Sequence, residues 1–121
     1  QANHFRRYAK DPIQYAIERY TNEANRLTRV LDARLGEARY TAGNEYSISD
    51  IASFPWMRGA EQRGVNIEEY PNVKRWFSEI SARPAVQRAL KVLAEVQAAN
   101  AAPHSDKSWD IMFGKTQFQK R

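Results

Sequence analysis

An all-α fold is predicted for this 121-residue chain by three observations. Apolar residues recur at helical spacing in successive stretches. Helix punctuation separates those stretches, at Asp11-Pro12, Gly36, Gly43-Asn44, Tyr70-Pro71 and Arg83-Pro84. No run alternates apolar and polar residues as a half-buried strand does.

The longest helix is predicted over about 12–35. Asp11 is placed as its N-cap and Pro12 suits its first turn. Ile13, Ala16, Ile17, Tyr20, Ala24, Leu27, Leu31 and Leu35 form its apolar stripe. Gly36 offers a left-handed C-terminal residue. At ~1.5 Å per residue the helix is roughly 36 Å long and forms the spine of the domain. The residues before it, 1–9, read as the end of a helix that begins upstream.

The next signal is sharper. In Tyr46-Ser47-Ile48-Ser49-Asp50-Ile51, Ser47 caps the amide at Asp50, and Asp50 reaches back to the amide of Ser47. Tyr46 and Ile51 hold the hydrophobic-staple positions of this capping box. The helix it opens carries Ile48, Ile51, Ala52, Phe54, Trp56 and Met57 in nearly every direction, which predicts burial on most sides. Pro55 lies inside it and removes one ladder hydrogen bond. Pro71 and Pro84 start two further helices, with stripes Val73, Trp76, Phe77, Ile80 and Val86, Ala89, Leu90, Leu93, Val96. Trp56, Trp76, Phe54 and Phe77 are predicted core. Residues 99–121 read as a polar tail in which Trp109–Phe113 docks as a single turn.

Composition excludes several chemistries. Hydrophobic residues make up 42% and charged residues 27%, enough for one core at this length. No cysteine is present, so disulfides, cysteine-based zinc sites and a cysteine nucleophile are excluded. With two histidines and no ligand spacing between them, no metal site is predicted. Glycine-rich phosphate loops are absent. His104-Ser105-Asp106 holds triad residue types, but consecutive residues do not reach triad geometry. Glu68-Glu69 reads as a solvated turn before the Pro71 helix. The net charge of +5 is mild, and the arginines are dispersed rather than interleaved with aromatics. A nucleic-acid partner is therefore not predicted. No apolar run reaches the ~18 residues of a membrane span.

The segment YTAGNEYSISDIASFPW, residues 40–56, resembles the helical C-terminal domain of glutathione transferases, with Ala42, Gly43, Tyr46, Ser47, Ile48, Asp50 and Ile51 on the family pattern. YPNVKRWFSEISARPAVQRAL, residues 70–90, is similar to the helices that follow in that family. The opening QANHFRRYAKDPIQYAIERYTNEANRL resembles the bacterial nu-class, disulfide-reductase-like subgroup. The resemblance covers about 1–98 and leaves 99–121 as a tail.

This resemblance implies a helical bundle, with its first helix truncated at the start, and a partner domain of thioredoxin-like fold outside this chain. It implies glutathione as co-substrate, either conjugated to electrophiles or used to reduce disulfides, with no catalytic residue in this segment. The subgroup's YAI-x-R arginine maps to Arg19, which the resemblance assigns to glutathione contact. Helical geometry sets Arg19 about 120° from Ile13, off the apolar stripe. The alternative role for Arg19 is a surface pair with Glu23 at i+4. His4, Phe5, Tyr8 and Tyr15 become the wall residues of an acceptor pocket, with Trp109 and Phe113 of the tail folding over it. Homodimerisation near the first two helices and a cytoplasmic location are also implied. The rival class is a non-catalytic interaction module built on the same helical domain.

Overall fold

The computed structural model describes residues 1–99 and 105–114. A helical opening turn ends in a wide π-type turn, His4–Tyr8. Then come α1 (Gln14–Glu37), α2 (Ile48–Arg58), α3 (Pro71–Ser81), α4 (Pro84–Ala99) and α5 (Asp106–Phe113). Two 3₁₀ turns, Glu61–Arg63 and Ile67–Glu69, join α2 to α3. Among the described residues there is no strand, only an isolated bridge between Tyr40 and Gly43. The chain divides into two compact units, Gln1–Val86 and Gln87–Arg121. The sequence boundary at residue 98 falls within the second unit.

The first unit is built on α1 and α3. Leu35 of α1 and Val73, Trp76 and Ile80 of α3 are buried with Phe54 and Met57 of α2. Phe77 packs against this core and stacks on Phe54, with ring centroids 5.0 Å apart. α1 and α3 also cap each other. Asp32 accepts the amides of Asn72 (2.9 Å) and Val73 (3.0 Å) at the start of α3. Arg75 donates to the carbonyls of Leu35 (2.9 Å) and Arg39 (3.2 Å) at the end of α1. A carboxylate at a helix start and a guanidinium at a helix end both match the helix dipole.

Asp50 joins the remaining elements. It is fully buried. Its carboxylate accepts the amide (3.0 Å) and hydroxyl (2.9 Å) of Thr41 and the indole N–H of Trp76 (2.9 Å). It also accepts the amide (2.9 Å) and hydroxyl (3.2 Å) of Ser47, and with Ser47 it closes the capping box. Burial alone would raise its pKa, but the bonds from Thr41, Trp76 and Ser47 outweigh it and hold the carboxyl below its ordinary value.

Several sequence expectations change. α1 starts at Gln14 with Ile13 as an uncapped N-cap, because Asp11 and Pro12 serve the connector from the opening turn. Gly36 is not left-handed: α1 runs on to Glu37 and ends in extended Ala38. A Cβ on Gly36 would come 3.2 Å from the Asn72 side chain, so its smallness serves the α1–α3 approach. α2 is not buried on most sides. Asp50, Phe54 and Met57 face the core, whereas Ile48, Ile51 and Trp56 are exposed (81%, 55% and 70%). Among the described residues α2 packs chiefly against α3, which covers its Asp50, Phe54 and Met57 face. Tyr46 meets Tyr40 edge-on at 5.8 Å and carries the Arg83 guanidinium 3.8 Å above its ring, while Ile51 faces outward. The predicted single turn at Trp109–Phe113 is a two-turn helix. Ser105 caps it, accepting the Ser108 amide at 3.1 Å, and His104 lies outside the described residues.

Asp50→Asn turns an acceptor oxygen into a donor among donors. Equilibrium denaturation should show a loss of about 3 kcal/mol. The folded-state pKa of Asp50 is depressed. Its contribution is therefore present above the unfolded carboxylate value of about 3.9 and is lost as pH falls through the depressed value. The variant should flatten this acid limb of the stability profile. A loss below about 1 kcal/mol would show that the network does not tie α2 to α3.

Candidate functional site

An open groove of about 660 Å³ lies between α1 and α2. Tyr20, Ala24, Leu27 and Leu31 supply its α1 wall from one helical face, at i, i+4, i+7 and i+11. Trp56 and Met57 of α2 face them. The turn after α2 adds Arg63 and Val65, and the first residues add Gln1 and Ala2.

The groove carries two charged side chains, Glu23 and Arg63. Arg26 grips Glu23 through Nε (2.8 Å) and Nη2 (2.7 Å), and these hydrogen bonds hold the Glu23 carboxyl below its ordinary pKa. Arg63 is half-buried and donates to the Trp56 carbonyl near the end of α2. Burial pulls its pKa down, although a guanidinium stays charged at any working pH. Among the described residues no carboxylate pairs with it.

Arg19 projects from the first half of α1. Its side chain is 56% exposed and lies 3.8 Å from Glu23 Oε2, beyond hydrogen-bond reach. Glu23 is thus committed to Arg26 and only weakly engages Arg19, which leaves the Arg19 fork available for a bidentate anion contact. His4, Phe5 and Tyr8 sit on the opening turn, and none of them, nor Tyr15, lines the groove. Phe5 stacks on Tyr20 with centroids 5.3 Å apart, and His4 meets Phe5 edge-on at 5.1 Å. Tyr15 is 78% exposed. Tyr20, Ala24, Leu27 and Leu31 belong to the predicted α1 stripe and Trp56 to the predicted core, and all five line the groove. Periodicity marks an apolar face but not whether anything covers it. Among the described residues no cluster of His, Asp and Glu is arranged to hold a metal. No described helix is long and apolar enough to cross a membrane.

Residues 9–84 match the family described as glutathione S-transferase, C-terminal domain. The chain belongs to that family. Within it, the chain is 42% identical over 90 residues to the disulfide-bond oxidoreductase YfcG of Escherichia coli K12, covering 74% of this chain and 42% of that protein. Its fold matches Ure2p in complex with glutathione at a TM-score of 0.71 and 36% identity, over 75% of this chain and 44% of that one. A glutathione transferase from Burkholderia graminis, solved with two glutathione molecules bound per subunit, matches at 0.66 and 36%, over 74% and 40%. The chain spans less than half the length of these relatives.

In this glutathione S-transferase domain the turn that carries Arg63 is pinned at Gly64. Gly64 has φ +76°, and its carbonyl accepts from the Asn25 side chain at 3.1 Å. Asn25 Oδ1 in turn accepts the Tyr70 hydroxyl at 2.9 Å. A Cβ on Gly64 would stand 2.8 Å from the Thr21 methyl and 2.9 Å from the Arg6 guanidinium. Arg6 is a flexible end and can yield, but the β-branched Thr21 cannot. Gly64→Ala should therefore cost more than the about 1–2 kcal/mol of the left-handed backbone alone, read from denaturant midpoints. An unchanged midpoint would show that the turn tolerates displacement.

Proposed function

We propose that this helical domain belongs to a glutathione-dependent enzyme, one that conjugates glutathione to electrophiles or uses it to reduce disulfides. The observation that carries this reading is the likeness, in sequence and fold together, to an oxidoreductase of disulfide bonds and to structures holding glutathione. The geometry of α1 supports it, because Arg19 is exposed and only loosely held. In this reading Arg19 receives a carboxylate of the tripeptide. The reacting thiolate belongs to glutathione itself, in keeping with a domain that contains no cysteine.

A thioredoxin-like domain elsewhere in the parent chain supplies the remainder of the glutathione site. His4, Phe5 and Tyr8 present an aromatic edge beside α1 for the acceptor. The parent protein works in the cytoplasm as a homodimer.

In the full-length protein, Arg19→Ala should weaken glutathione or glutathione-disulfide binding about tenfold by calorimetry, as loss of one charge-assisted contact predicts. Its circular dichroism should stay unchanged. Equal affinity in variant and parent would remove Arg19 from the site. The 121-residue protein by itself should show no turnover with an aryl halide or a disulfide substrate. Absence of both turnover and glutathione binding in the full-length protein would instead favour an interaction module.

A further inference from the structure

We propose that Arg26, two helical turns from Arg19, is a positioning residue for the Arg19 contact. By gripping Glu23 it keeps that carboxylate off the Arg19 fork and leaves the fork free for an anionic ligand. The proposal rests on the reading of Arg19 as a glutathione contact.

Three charged residues of α1 carry the argument. At 100° per residue, Arg19, Glu23 and Arg26 fall within about 60° of one another on a single helix face. Their side chains are 56%, 32% and 60% exposed, so Glu23 is the least solvated of the three. Its carboxylate lies between two cations and offers two oxygens. Arg26 takes both, with Nε donating to Oε2 at 2.8 Å and Nη2 to Oε1 at 2.7 Å. Arg19 Nη1 is left 3.8 Å from Oε2. Glu18, the carboxylate next to Arg19 in sequence, accepts Gln14 Nε2 at 2.6 Å.

Sequence order explains which arginine wins. An acid that precedes its base along a helix makes the better pair. Glu23 precedes Arg26 and follows Arg19. The hydrogen bond from Arg26 is the largest cause of the depressed Glu23 pKa and the charge of Arg19 the smallest, which matches the distances. Glu23 is therefore ionised at neutral pH, and it turns to Arg19 if Arg26 is lost.

Distance separates this role from a direct one. Arg26 stands roughly 10 Å along the helix axis from Arg19. That is about one Debye length at physiological salt, so its own charge acts only feebly on a ligand at Arg19. Its influence runs through Glu23. Removing Arg26 turns two cations and one anion into a neutral Arg19–Glu23 pair, whose closure competes with the ligand. An exposed pair of this kind is worth about a twofold change in affinity.

The test is a double-mutant cycle in the full-length protein, with glutathione titrated by calorimetry at physiological salt. Alanine suits an exposed helix position, so Arg26→Ala keeps α1 intact. Arg26→Ala should bind glutathione about twofold more weakly than the parent. Glu23→Gln should bind at least as tightly as the parent, and Glu23→Gln with Arg26→Ala should match Glu23→Gln alone. Equal losses from Arg26→Ala in both backgrounds would show that Arg26 acts on the ligand directly and overturn the proposal. No loss in the parent background, where Arg19→Ala does weaken binding, would overturn it too.

A carbon-13 NMR titration of the Glu23 carboxyl, without glutathione, tells failure of the proposal from failure of the glutathione reading. The Glu23 pKa should rise in Arg26→Ala and rise further when Arg19→Ala is added. A titration unmoved by that second substitution would show that Glu23 does not turn to Arg19, and would overturn the proposal. If the titration behaves as expected but Arg19→Ala leaves glutathione affinity unchanged, the glutathione reading has failed and takes the ligand role of Arg26 with it.

Discussion

A single buried carboxylate, Asp50, holds the first unit together. Removing a charge from water costs several kcal/mol unless its lone pairs are filled. Asp50 fills them from three separate pieces of chain: the loop at Thr41, the start of α2 at Ser47, and α3 at Trp76. Those donors approach from fixed directions, so the carboxylate sets where α2 begins and how it is rotated. That rotation turns Phe54 into the core and leaves Trp56 on the groove.

The caps exchanged by Asp32 and Arg75 do the same for α1 and α3. Each satisfies backbone groups that helix ends leave open. A second cluster lies close by. Glu79 accepts the Tyr40 hydroxyl and the Arg39 guanidinium, which holds the Tyr40 phenol above and the Glu79 carboxyl below its ordinary pKa. These polar ties gather at the end of α1 and along α3. Arg19 lies in the first half of α1, and the groove runs along the helix from Tyr20 to Leu31 with Phe5 stacked on Tyr20 at its start.

Local patterns were readable where one short segment contains both partners of an interaction. The Ser47–Asp50 box is such a case, as is Pro71 at the first turn of α3. Patterns that needed a distant partner misled. Gly36 looked like a helix terminator, but the side chain of Asn72 explains its smallness. Asp11 looked like a cap, but the connector from the opening turn moved the helix start past it. Trp56 looked like core because a hydrophobic residue on a helix carries no mark of which neighbour covers it. The Ser105 cap of α5 was present in the sequence but masked by the polar composition around it.

The sequence by itself determined the helical class, the order of the main helices, the capped start of α2 and the family. These depend on residue spacing and local hydrogen bonding, which act over a few neighbours. Only the tertiary structure decided that Asp50 also binds Trp76 and Thr41, that Asp32 caps α3, and that an apolar groove stays open beside α1. Such contacts join residues nine to forty-one positions apart. Their geometry arises from how whole helices pack, and no local pattern encodes it.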